Sequence, residues 1–101
     1  MEWIEHRSGD KTFFIPNFGK VTEDDIRIRI KADIFDAIWV SLVILISEES
    51  LMTVPSFAMD EIIFDISRAD MEEHINSCIE HYVSTEEYEK CKVLNDYLKD
   101  R

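Results

Sequence analysis

Apolar positions along this chain fall into zones of different period. Glu2-Trp3-Ile4-Glu5-His6 and Lys11-Thr12-Phe13-Phe14-Ile15 are short runs rich in aromatic and branched residues, separated by Ser8-Gly9-Asp10. Glycine in a short polar turn between such runs predicts a β-hairpin over residues 1–20, with Pro16-Asn17-Phe18-Gly19 ending its second strand. Two strands alone are only marginally stable, so this ribbon has to lie on something.

Residues 21–67 form a central apolar segment with conflicting signals. Thr22 and Asp25 have capping-box spacing, with Asp in place of the usual Glu, and an acidic first turn suits the helix dipole. Yet Ile26, Ile28 and Ile30 alternate with Arg27, Arg29 and Lys31, which is a strand pattern. Read as one helix, Arg29, Asp33, Asp36 and Ser47 make a single polar stripe, and nearly everything after Ala32 is apolar. That favours a long central helix buried on most sides. The competitor is a strand at 26–31 followed by a helix from Asp33, or by a Val40–Ile46 strand. Farther on, Pro55 pushes Val54 out of helical geometry. Ser56 is then placed to cap a short third helix from Phe57 to Ile66, with Met59, Ile62, Ile63 and Ile66 at helical spacing. Ile62-Ile63-Phe64 also suits a short strand.

Residues 68–101 read as a helical hairpin. Met71, Ile75, Cys78, Ile79 and Tyr82 make one apolar face, and Asp70, Glu72 and Glu73 load the first turn with negative charge. Ser84 and Glu87 form a second capping box. The helix after it has a face of Tyr88, Cys91, Leu94 and Leu98, widened by Val93 and Tyr97. A link this short makes the two helices antiparallel neighbours. The expected fold is therefore α+β, mainly helical, in one domain spanning 1–101: an N-terminal β-hairpin, a buried central helix, a short third helix and a C-terminal antiparallel helical hairpin.

Composition narrows the function. At 101 residues with 46% hydrophobic content the chain can bury a modest core, and two Gly and two Pro disfavour a barrel of many short strands. The formal charge is −11, and no Lys/Arg cluster stands out. Direct nucleic-acid binding is disfavoured, because its main electrostatic contribution would be repulsive, and an anionic membrane surface is disfavoured for the same reason. The acidic balance suits a protein that meets neutral or basic protein surfaces, or one that imitates nucleic acid in a basic groove.

The N-terminus lacks the basic and apolar regions of a signal peptide. The longest apolar run, Ala37 to Ile46, is far short of the roughly 20 residues a membrane-crossing helix needs. A cytoplasmic, reducing setting is the default expectation, with Cys78 and Cys91 as free thiols.

Tyr88-Glu89-Lys90-Cys91-Lys92-Val93-Leu94-Asn95-Asp96-Tyr97-Leu98 resembles the UVR motif, the helical hairpin first named in nucleotide-excision-repair proteins. That motif's second helix begins with an aromatic–Glu pair, runs through small residues to a Leu, and closes with Asp and an aliphatic residue. Tyr88, Glu89, Cys91, Leu94, Asp96 and Leu98 fill those places. Lys92 stands where a second small residue is usual, and Asn95 replaces a typical Arg. With its preceding helix the resemblance covers about a third of the chain and none of the rest. It implies a protein–protein docking hairpin, not a repair activity.

Chemistry finds little purchase in this sequence. His74, Cys78 and His81 recur on one helix face, with Cys91 on the next helix. These are zinc-ligand residue types, but their spacing matches no common finger, and both cysteines fit equally well as small core residues. Cys91 with His81 is the one arguable nucleophile–base pair, and its acidic neighbourhood does nothing to lower the thiol's pKa. No catalytic residue, metal or cofactor is assigned, and an enzyme is not expected. Aromatics carry more information. Phe13 and Phe14 are adjacent and so point to opposite faces of a strand; both cannot enter one core.

The expected function is a small protein-binding module acting by occupancy, as regulator, inhibitor or assembly factor. Its candidate surface is the ribbon, Trp3, Phe13, Phe14 and Phe18, together with the outer face of the helical hairpin. An acidic nucleic-acid mimic is the alternative, using Glu72, Glu73, Glu80, Glu86, Glu87 and Glu89 as a phosphate-like array. A further alternative is a homo-oligomeric structural subunit associating through the central apolar segment.

Overall fold

Gly9 turns the N-terminal ribbon. In the computed structural model, which describes residues 2–100, β1 (Glu2–Ser8) pairs antiparallel with β2 (Lys11–Asn17) along its whole length. Gly9 sits at φ +64 in the turn, a region where a Cβ would crowd the carbonyl. Pro16 lies within β2 rather than ending it.

The capping box at Thr22 forms as expected. The Thr22 N–H donates to Asp25 Oδ2 at 3.0 Å, and the Asp25 N–H donates to Thr22 Oγ1 at 3.1 Å. The helix it starts is wound wide, as a π-turn over Asp25–Arg29, with the Ile30 N–H reaching Asp25 O at 2.9 Å. The chain breaks at Ile30 and resumes as α1 (Lys31–Ser47). The alternating isoleucines are thus helical, not a strand, and the long central helix comes in two pieces. Ala37, Ser41, Leu42 and Leu45 are buried, while Val40 opens to solvent.

The third helix expected from Phe57 to Ile66 is replaced by a second hairpin, β3 (Thr53–Met59) and β4 (Ile62–Ser67). Branched and aromatic residues at 62–66 fit either period, and cross-strand partners decide the outcome. Phe57 pairs with Phe64, their rings stacked at 4.9 Å, and Phe18 sets its edge on Phe57 at 5.9 Å. The sheet order is β1-β2-β3-β4, with β2 and β3 parallel. A parallel pair needs a crossover, and α1 supplies it.

Two further helices, α2 (Met71–Ser84) and α3 (Tyr88–Asp100), form the expected hairpin. Met71, Ile75, Cys78 and Tyr82 of α2 join Cys91 and Leu94 of α3, Leu42 and Leu45 of α1, and Val54 and Ile66 of the sheet in one core. Tyr88 and Val93, placed on the buried face by spacing, are exposed. The link differs too. Instead of a Ser84–Glu87 capping box, α2 ends with the Glu86 N–H bonded to Val83 O and the Glu87 N–H to Tyr82 O. This is a Schellman ending with Glu86 at φ +62. Arg68 closes the other end of the core: its guanidinium donates to Leu45 O in the last turn of α1 and to Glu48 O and Leu51 O in the turn that follows. The fold is α+β and mainly helical.

Candidate functional site

A cleft opens where β2 and β3 fail to zip together. Their register holds one pair, Asn17 with Ala58, beside which the Phe18 N–H donates to Ala58 O at 2.9 Å. Alternate N–H groups of a strand point the same way, so the next donor on that edge of β2 belongs to Pro16, which has none. Opposite it, β3 carries Pro55 and a bulge between Pro55 and Phe57. The two strands therefore splay. The result is a cavity of about 260 Å³ walled by Trp3 of β1, Phe13 to Pro16 of β2, Pro55 and Ser56 of β3, and the Asp33-Ala37-Val40-Ile44 stripe of α1.

Two features give this apolar cleft direction. Ser56 Oγ is the buried side-chain polar atom among the described residues that lacks a hydrogen-bond partner. At the α1 rim stand two carboxylates, Asp33 and Asp36. Asp36 accepts from Tyr82 Oη at 2.9 Å and lies 3.5 Å from Lys90 Nζ. Asp33 has no ion-pair partner among the described residues.

Burial, with a contribution from the Asp36 carboxylate, shifts the groups behind it. Burial pushes the Tyr82 hydroxyl well above the ordinary tyrosine range, and its bond to Asp36 adds to the rise. Lys90 lies over the Tyr82 ring, 4.6 Å from its centroid. Partial burial pulls its pKa down, but Glu87 and Asp36 together outweigh that and hold it above the usual lysine value. Cys78, buried in the core, is pushed up to about 12 by burial, with the Asp36 charge contributing. A thiol held there stays protonated and packs as an apolar residue.

The residues singled out from sequence separate into groups. Trp3 (61% exposed) and Phe14 (68%) lie on one face of the ribbon, because Trp3 pairs with Pro16 and Phe14 with Glu5. Phe13 packs against the core and Phe18 against Phe57, so only part of the aromatic set is free. Glu72, Glu73, Glu80, Glu86, Glu87 and Glu89 are all exposed, and none lines the cleft. Glu87 accepts from the Thr85 hydroxyl at 2.7 Å and is engaged by Lys90 at 3.1 Å, which draw its pKa below the usual glutamate value.

His74, Cys78, His81 and Cys91 do not converge. His81 stacks flat on Phe35 at 4.2 Å, and Cys91 Sγ faces Ile79 O. Among the described residues no group of His, Cys, Asp and Glu is placed to hold a metal ion. Sequence reasoning passed over Ser56, Val40 and Asp33 as site residues. The available signal was the prolines at 16 and 55, each inside a run of strand-forming residues.

No family model, no curated protein and no solved structure matches this chain. No helix among the described residues is long and apolar enough to cross a membrane.

Proposed function

We propose that this chain is a protein-binding module that acts by occupancy, as a regulator, inhibitor or assembly factor, without catalysis and in a cytoplasmic setting. One observation carries the reading: Trp3, Phe14 and Val40, three large apolar side chains each more than half exposed, surround the same cleft. Isolated exposed apolar residues are ordinary; a cluster around a concavity marks a docking surface. Aromatic anchors at such sites typically dominate binding. At about 260 Å³ the cleft falls below the ~300–1,000 Å³ usual for small-molecule and cofactor sites, and suits one or two side chains of a partner. The resemblance of residues 88–98 to a docking hairpin points the same way.

The acidic mimic remains a second reading, supported by six exposed carboxylates on α2, α3 and their link. Self-association through the central segment has less to draw on, because much of α1 already packs into the core. Affinity capture from nuclease-treated lysate with a graded salt wash separates the readings. Apolar docking predicts one stoichiometric protein held through high salt and lost with Phe14→Ala or Trp3→Ala. Release by salt, unaffected by those substitutions, favours the mimic.

A further inference from the structure

Ser56 makes the cleft chemically specific. Its side chain is 3% exposed, its hydroxyl has no partner, and it stands in the cleft wall. Ser41, in the same wall, illustrates how a buried hydroxyl is ordinarily satisfied, with Oγ 3.2 Å from Ala37 O and 3.4 Å from Pro55 O. A buried polar group left unpaired is costly, and a native fold that keeps one calls for an explanation. Here the bulge between Pro55 and Phe57 takes Ser56 out of the β3–β4 register. Bulges recur where a strand re-aims a side chain toward a site.

The cleft that Ser56 lines has walls of carbon, from Phe14, Pro16, Val40 and Ile44, and its rim carries Asp33 and Asp36 with no Lys or Arg among the lining residues. We infer that the cleft receives an aromatic side chain with a hydrogen-bonding tip, tryptophan or tyrosine, from a segment of a partner protein that also carries Lys or Arg. This rests on the docking reading above and specifies its partner. The ring fills the apolar space, the tip meets Ser56 Oγ, and the cation meets Asp33. Tyrosine and tryptophan combine an apolar body with one polar atom, which is what this wall demands. The cation steers approach and fixes register more than it adds affinity. A second copy of this chain is a poor occupant, since two molecules of charge −11 repel, and a phosphate would meet Asp33.

The test uses the whole isotope-labelled chain and three blocked peptides: acetyl-Arg-Trp-Arg-amide, acetyl-Glu-Trp-Glu-amide and acetyl-Arg-Ala-Arg-amide, followed by amide chemical shifts. Arg-Trp-Arg is expected to shift the amides of Phe14, Ile15, Val40 and Ser56 saturably, and to bind about tenfold more tightly than either control. Ser56→Ala is expected to weaken Arg-Trp-Arg about fivefold while the unfolding midpoint stays at or above that of the parent chain. A serine with a merely structural role would lower the midpoint instead. Equal binding of either control, or shifts confined to α2 and α3, overturns the inference. If no peptide moves the cleft amides while Phe14→Ala still releases the captured partner, the inference fails and the docking reading stands. If Phe14→Ala releases nothing either, both fail.

Discussion

Tyr82 and Asp36 fasten α2 to α1: Tyr82 Oη donates to Asp36 Oδ1 at 2.9 Å, and Lys90 Nζ of α3 lies 3.5 Å from the same oxygen. Three helices thus meet at one carboxylate, which also lines the cleft. Phe35 O, 3.1 Å from Tyr82 Oη, is the alternative acceptor for the same proton. Tyr82→Phe keeps the ring in the core and removes that proton. We expect a loss of about 0.5–1.5 kcal/mol, read from the urea midpoint, because the hydroxyl's bonds are removed while the exposed Asp36 carboxylate can still turn to water. An unchanged midpoint would mean that the fastening contributes nothing to stability.

The same residue sets the alkaline limit. Folding raises the pKa of Cys78 from 9.0 and that of Tyr82 from 10.0. Above those values the unfolded chain has released protons that the folded chain still holds, so stability falls as pH rises. The contribution is fully present below pH 9.0 and is lost through the alkaline range above it. Lys90, also raised, acts in the same direction. Thermal melts across this range should show a falling midpoint, with a shallower slope in Tyr82→Phe. A flat profile would contradict the assignment.

Arg68 is the predicted weak point of the fold despite being a surface-type residue. One guanidinium holds Leu45 O and Glu48 O through Nη2 at 2.8 and 2.9 Å, and Leu51 O through Nε at 2.9 Å. Arg68→Met keeps the stem and strips these donors from the end of α1. A loss of about 3 kcal/mol is expected, and Arg68→Lys should recover little, because a point charge cannot reproduce the fork. Chemical denaturation of both variants checks this.

Glu86 is the site where a substitution should improve the fold. It occupies the left-handed position of the Schellman ending at φ +62, where glycine is usual. Among the described residues its carboxylate makes no hydrogen bond or ion pair that would be missed. Glu86→Gly should raise stability by roughly 0.5 kcal/mol, the relief of backbone strain exceeding the added freedom of the unfolded chain. The thermal midpoint should rise slightly; a clear drop would mean that the strain is absent.

The legible parts of this sequence were those whose partners lie close in the chain. Gly9 between two β-rich runs, the reciprocal Thr22–Asp25 box and the apolar face Met71-Ile75-Cys78-Tyr82 each carry their own geometry, and each formed. The 57–66 segment is ambiguous by pattern, because Met59, Ile62, Ile63 and Ile66 satisfy a helical period while Ile62, Phe64 and Ile66 also alternate. Only pairing with β3 decides between them, and local pattern does not contain it. The cleft was harder still. It depends on β2 and β3 becoming parallel neighbours some 40 residues apart, after which Pro16 and Pro55 keep them from closing. Alternation says that Phe13 and Phe14 face opposite ways, but not which of them is free, and nothing in the spacing points to Val40 or Ser56.

The central claim is that the partner occupies this cleft. Amide hydrogen exchange on the captured complex, compared with the free chain, tests it most directly. Docking in the cleft predicts new protection concentrated at Trp3, Phe13 to Ile15, Val40 and Ser56, with α2 and α3 little changed. Protection centred on Glu73 to Glu89, with the cleft residues exchanging as in the free chain, would contradict it and move the interface to the acidic hairpin.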